Sequence, residues 1–292
     1  MKNSLFLLCA LVVLLISCQT EPDFNISGGG NSGGGNGGGG NGGGTVGDLL
    51  VRAVSKTGAD SVVITYGYDA AKRLILEKIV GISQGVNVGN EQQIIRNGSG
   101  IITKLVQKNA ALQQAGLDSI VTAVHYDAST SRYSSKVQEI TFMGFSSKDS
   151  SVFIYDANGK ITGEDSYQSD PLSGTYSLTF KTVYAYATNG NLDSFKQYDL
   201  SNGSTDLVAT VTYTYDTKVN PLHLNNEAFV IGKPESISVN NIVMAQYNDL
   251  TDPTNNITFS NTYTYNSANK PATGISTQNP GNIVSNGAYY YQ

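Results

Sequence analysis

Cysteine is nearly absent from this chain: Cys9 and Cys18 are the only two in 292 residues. Both stand near the N-terminus, so the body of the protein has no disulfide, no thiol nucleophile and no thiolate metal site, and its stability rests on the core. Histidine is as sparse. His125 and His223 show neither His-x-x-x-His nor mixed His/Cys spacing, which excludes the usual zinc arrangements. Charged residues make up 14% of the chain, where about 25% is ordinary. The 23 acids outnumber the 18 bases, which argues against a nucleic acid or an anionic lipid surface as partner. Tryptophan is missing, and the longest apolar run, Leu5–Ile16, falls short of the ~20 residues of a membrane-spanning helix.

That run is instead the length of a signal-peptide core, with Lys2 as its positive flank. It ends in Leu15-Ile16-Ser17-Cys18, which resembles a bacterial lipobox. The resemblance implies cleavage after residue 17, lipidation of Cys18 and a permanent membrane anchor of several acyl chains. Gln19 after the cysteine resembles the outer-membrane sorting pattern, and Glu21 with Asp23 faintly resembles an acidic surface-export signal. Residues 28–44 then contain only Gly, Asn and Ser, thirteen of seventeen being Gly. Residues 18–45 are therefore expected to be a flexible linker with a root-mean-square span of ~30 Å and a maximum reach of ~90 Å. Its Gly-x-Gly-x-x-Gly matches follow from composition, and no cofactor is implied.

Residues 46–292 change character. All eighteen tyrosines lie beyond residue 65, and pairs at i and i+2 recur: Tyr66/Tyr68, Phe153/Tyr155, Tyr184/Tyr186, Tyr213/Tyr215 and Tyr263/Tyr265. In a strand this spacing puts both rings on one face. A short polar turn follows each pair, then a basic or amide residue: Arg73, Lys160, Asn191, Asn220 and Lys270. Tyr126-Asp127 with Arg132 fits with one extra turn residue, and Ile95 before Arg96-Asn97-Gly98 reads as a copy without aromatics. Anchored on the second ring, the first five intervals run from 27 to 31 residues, the length of one hairpin of two long strands. Residues 176–186 show strict period-two alternation, the mark of a half-buried strand. Only Lys104–Ala115 reads as a short helix or a loop.

Tyr66-Gly67-Tyr68-Asp69-Ala70-Ala71-Lys72-Arg73-Leu74 resembles a YD repeat, with Lys72 in place of the turn glycine. Together with Asp118-Ser119-Ile120 and the stretches 216–222 and 263–271, it makes the chain similar to a family of Bacteroidota lipoproteins described as having a porin-like fold. The resemblance implies architecture; that family has no assigned activity. The expected fold is all-β: an antiparallel meander of hairpin repeats with roughly a dozen strands, rolled into a partly closed barrel or two packed layers.

Signals for chemistry are weak. Gly81-Ile82-Ser83-Gln84-Gly85 matches a nucleophile elbow, but no helix start follows and the pattern around it is antiparallel, so a bend between strands is expected. Asp156-Ala157-Asn158-Gly159 lacks the ligand order of a calcium loop. Glu164, Asp165, Asp249 and Asp252 read as solvated turn acids, with the loop 248–256 the first place to look for a site. The tyrosine pairs are expected to hold the sheet together, leaving Phe145, Tyr167, Tyr198 and Tyr247 as better ligand candidates. Ser61 and Ser119, in Asp-Ser-apolar triplets, resemble O-glycosylation acceptors or begin ordinary strands. The expectation is a non-catalytic binding or scaffold module of the cell envelope, anchored in the outer membrane by lipid, facing the cell surface or the periplasm, and meeting an envelope protein or glycan. A hydrolase with a carboxylate pair and a transmembrane β-barrel are the alternatives.

Overall fold

The computed structural model describes residues 48–114, 116–142, 145–170 and 173–292. Cys18, the leader 1–17 and the linker 18–45 lie outside the described residues, as does the side chain of Phe145. Sixteen strands follow one another: β1 (Leu50–Thr57), β2 (Asp60–Tyr68), β3 (Leu74–Ser83) and β4 (Val86–Arg96). Then come β5 (Ile102–Asn109), β6 (Ile120–Asp127), β7 (Arg132–Phe142) and β8 (Phe145–Tyr155). The second half contains β9 (Ile161–Ser169), β10 (Tyr176–Tyr186), β11 (Leu192–Asp199) and β12 (Asp206–Val219). It ends with β13 (Asn240–Asp249), β14 (Ile257–Tyr265), β15 (Pro271–Asn279) and β16 (Ile283–Tyr291). Each pairs antiparallel with its sequence neighbours, and β1 pairs with β16. The barrel is therefore closed, with more strands than the dozen expected and no free edge.

Alternation decides what faces in. Tyr184 of β10 is buried while its neighbour Val183 is 38% exposed. The same rule buries Ile64, Tyr66, Ile79, Ile94, Leu105, Val124, Phe153 and Phe259 inside the barrel. The outer wall carries cross-strand polar pairs, among them Lys78–Glu91 at 3.6 Å, Lys148–Glu139 at 3.1 Å and Thr264–Thr273 at 2.6 Å, beside exposed apolar side chains such as Val80, Ile82 and Ile275. Residues 104–109 belong to β5, and only the five residues of α1 (Ala110–Gln114) are helical. Pairing with β4 and β6 on both sides overrides the local helix preference read there.

The hairpins that follow the aromatic pairs all turn at one end of the barrel, which is also where the chain enters and leaves, since Leu49 and Gln292 exchange both backbone bonds. In these turns the Asp or Asn after the second ring accepts two backbone N–H groups with one oxygen: Asp69 from Ala71 and Arg73, Asp156 from Asn158 and Lys160, Asn266 from Ala268 and Lys270. The turn position takes positive φ, +83° at Gly159 and +90° at Gly190, and Lys72 adopts +62° in its place.

Except for Tyr265, which donates to the Asp216 carboxylate, the second tyrosine of each pair then closes its hairpin. Its hydroxyl donates to a carbonyl at the start of the preceding strand: Tyr68 to Leu50 (2.8 Å), Tyr155 to Tyr133 (2.6 Å), Tyr215 to Leu192 (2.6 Å) and Tyr291 to Pro271 (2.8 Å). Tyr186 makes the same bond to Ile161. The aromatic pairs are thus part of the framework, as expected. One copy differs in register from the expectation. The residue that occupies the second-ring position in β4 is Arg96, not Ile95, and its guanidinium donates to Leu74 O at 3.1 Å as a tyrosine would. What the position needs is a long side chain with a terminal donor, and arginine supplies it.

Between β12 and β13 the chain makes an insertion, residues 220–239, that the repeat pattern does not contain. It enters the barrel at the turn end and fills it. The short helix α2 (Glu227–Val230) buries Ala228, Phe229 and Val230, with Phe229 edge-on to Tyr184 at 4.7 Å. A 3-10 turn at Pro234–Ile237 buries Ser236 and Ile237. Two ion pairs fix the insertion to the wall: Lys233–Glu77 at 2.6 Å, with both side chains under 10% exposed, and Arg96–Glu227 at 2.7 Å through both guanidinium nitrogens. Further hydrogen bonds add to them, including Lys136 to Phe229 O at 3.3 Å and Leu192 N–H to Ser238 Oγ at 3.0 Å.

Candidate functional site

A concavity opens at the turn end, beside the insertion. It has a volume of about 280 Å³ and lies between the turns after β4, β6 and β8. Tyr126, Tyr133 and Tyr155 form its aromatic wall, and Arg132 and Glu227 bring charge. Tyr126 and Tyr133 meet edge to face at 5.2 Å, and the Arg132 guanidinium lies 5.0 Å from the centre of the Tyr155 ring.

The extra turn residue noted at 127–132 accounts for this geometry. In the first repeat, Arg73 is four residues after Asp69 and pairs with it at 2.7 Å. In the longer turn the Asp127 carboxylate accepts instead from Ser129 N–H and Oγ and from Thr130 Oγ1. Those bonds hold the Asp127 carboxyl below its usual pKa. Lys160 donates to Gly190 O and Lys270 to the carbonyl of Asp48, so the other turn cations have acceptors. Among the described residues Arg132 has none.

Tyr126 departs from its repeat as well. Most of its equivalents donate to a carbonyl at the start of the preceding strand, but here the N–H of Ile102 donates to the Tyr133 hydroxyl at 3.1 Å, and that hydroxyl donates to Glu227 at 3.1 Å. The Tyr126 hydroxyl has no hydrogen-bond partner among the described residues. Burial pushes the Tyr133 and Tyr155 hydroxyls up to about 12, so both stay neutral donors at physiological pH. Glu227 is neutralised by Arg96, and the pocket retains the charge of Arg132.

Of the other sequence candidates, only Ser61 and Ser83 share a concavity, a smaller one at the opposite end that Asp60 also lines. Ser83 ends β3 at a hairpin, His125 is engaged with Ser135 at 3.0 Å, and the Asp60 carboxylate accepts the Gly85 N–H at 2.8 Å. Glu164 and Asp165 lie within β9, not on a turn; Glu164 points inward to Lys136 at 3.1 Å and accepts from Tyr184. In the loop 248–256, burial works to raise the pKa of Asp249, but hydrogen bonds from Thr251, Asn255 and Asp252 outweigh it and lower the value to about 2. Asp252 in turn caps Thr254. These acids build the loop itself. Tyr167, Tyr198 and Tyr247 sit on β9, β11 and β13 and share no cavity, so the aromatic wall comes from the repeats and not from the irregular tyrosines. Ser61 is exposed at the start of β2, and Ser119 is half-buried just before β6, both at the end opposite the pocket. Among the described residues no three His, Asp or Glu side chains gather as metal ligands, and no helix is long and apolar enough to cross a membrane.

The fold defines a closed, hairpin-built antiparallel barrel whose interior is filled by its own chain. No protein-family model matches the sequence, and no curated protein matches it. Among solved structures, a porin-like protein from Bacteroides uniformis is similar, with a TM-score of 0.51 at 12% identity over 83% of this chain and 98% of that one. A porin-like protein from Bacteroides vulgatus has a TM-score of 0.50 at 12% identity, covering 84% of this chain and 98% of that one. At this identity the likeness is one of fold.

Proposed function

We propose that this protein is a non-catalytic binding or scaffold module of the cell envelope, lipid-anchored through Cys18, whose barrel works as a solid body and not as a channel. The insertion 220–239 carries this reading, because two ion pairs and the Phe229–Tyr184 contact hold it inside the barrel where a pore would run. The outer wall supports it. A membrane barrel needs an apolar lipid-facing band ~25 Å tall, whereas Lys78, Glu91 and Lys196 stand at mid-strand on this surface. The likeness to porin-like proteins concerns the path of the chain, and the outer wall mixes these charges with exposed Val80, Ile82, Val121, Val183 and Ile275. An anchored solid barrel on a long linker suits a domain that presents a surface to an envelope protein or glycan. Residues 45–292 expressed without the leader test this. They are expected to be soluble without detergent and to give no conductance in planar bilayers, and generic glycosidase, esterase and protease assays are expected to stay at background. A requirement for detergent together with ion conductance would overturn the reading, as would turnover abolished by changing one acid or serine.

A further inference from the structure

We infer that the pocket at the turn end binds an anionic sugar ring, with Arg132 taking its carboxylate or phosphate and Tyr126 bonding a ring hydroxyl. The inference rests on the envelope-module reading only for its setting; the site itself is argued from the side chains. Two polar groups that equivalent residues use for folding have no hydrogen-bond acceptor among the described residues here, and both line one cavity. Arg132 loses its carboxylate because the turn is one residue longer. Tyr126 makes no such bond to the start of β5, where the Ile102 N–H donates to the Tyr133 hydroxyl.

Arg132 is also held in place. Its guanidinium lies over the Tyr155 ring on one side, and its terminal nitrogen is so near the Gly159 turn that a Cβ there would lie 3.2 Å away. That turn is fixed from below by Asn226, which donates to Gly159 O at 2.9 Å. A planar fork of donors fixed in this way matches a carboxylate or phosphate better than a lysine would. The cavity, about 280 Å³, is at the small end for ligand sites and admits one ring, not an extended chain. Tyrosine walls offer apolar faces to the C–H surface of a sugar and hydroxyls to its polar rim. An uncharged ring would leave Arg132 unanswered, and a bare anion would leave the aromatic wall uncovered.

The test titrates the full-length protein in nonionic micelles with glucuronate, a glucose phosphate, glucose and inorganic phosphate, followed by tyrosine fluorescence and equilibrium dialysis. Either acidic sugar is expected to bind saturably with Kd near or below about 1 mM, and glucose and inorganic phosphate at least about tenfold more weakly. Which acidic sugar binds more tightly tells carboxylate from phosphate. Arg132→Gln should weaken binding about tenfold or more, the loss expected for a charge-assisted bond, with the melting temperature unchanged. Deleting Thr130 restores the four-residue spacing of Asp69 and Arg73, so Arg132 should pair with Asp127 and binding should vanish in a protein that melts no lower. Acidic sugars binding no better than glucose, or binding that survives both variants, would overturn the assignment. Neither result bears on solubility or conductance, so the pocket can fail while the envelope-module reading stands.

Discussion

Removing the charge of Glu77 tests how the insertion is held. The Glu77 and Lys233 side chains are 5% and 8% exposed and approach to 2.6 Å. Taking one partner from such a pair leaves an ammonium in a buried site, at a cost of about 3–5 kcal/mol. Against a total stability of about 5–15 kcal/mol, Glu77→Gln should therefore shift the urea midpoint strongly. Replacing both residues, Glu77→Leu with Lys233→Met, removes the stranded charge at similar volume and should recover most of the loss. The exposed pair Lys148–Glu139, 43% and 50% accessible, is the control: Glu139→Gln should cost less than about 1 kcal/mol. With eighteen tyrosines and no tryptophan, tyrosine emission follows unfolding, and limited proteolysis within 220–239 reports whether the insertion leaves the barrel first. A Glu77→Gln cost below about 1 kcal/mol, or a double variant as unstable as the two single losses together, would refute the claim that this pair fixes the insertion.

Tyr184→Ala removes a ring 8% exposed that packs on both Phe229 and Phe195, and chemical denaturation should show a loss of about 3–5 kcal/mol; a loss below about 1 kcal/mol would move Tyr184 out of the core. Cys18→Ala should release the protein from the membrane fraction, since no described helix can hold it there, and a variant that still resists carbonate washing would defeat the lipid-anchor reading. Intact mass of the protein from its native envelope should exceed the lipidated polypeptide if Ser61 or Ser119 carries a glycan; a mass equal to the polypeptide alone rules that out. The Asp249 pKa is depressed on folding, so its contribution is present above about pH 4 and lost as pH falls toward about 2; Asp249→Asn should flatten that acid limb, seen as a smaller fall in melting temperature between those pH values.

The sequence made the repeat legible because each hairpin repeats one local solution: two inward rings, an Asx turn and a residue with positive φ. Strand β10 falls on residues 176–186, where the alternation placed it, because its period comes from its own side chains. Closure was not legible. The β1–β16 pairing joins residues from opposite ends of the domain, and no local pattern in Leu50–Thr57 announces the partner. Ile95 resembles the second-ring position only in being apolar, whereas the chemistry of the position is a donor reaching back to a carbonyl, which Arg96 provides.

The insertion left a signal that the tyrosine count concealed. Tyr215 and Tyr265 stand 50 residues apart where the earlier intervals are 27–31, and the surplus includes the apolar run Phe229-Val230-Ile231 in an otherwise polar stretch. A repeat interrupted by an apolar segment needs a place to bury it, and a barrel of sixteen strands is too wide for its own side chains to fill. The two facts answer each other. Strand number creates the void, and the insertion occupies it with Phe229 against Tyr184 and Lys233 against Glu77. The same reasoning places the pocket. Glu227 draws Arg96 and Tyr133 toward the insertion, and the repeat on that side is left with Tyr126 and Arg132 facing a space that no protein atom fills. The departure from the repeat and the candidate site are thus one structural event, set by one extra residue in a turn and one segment inserted across from it.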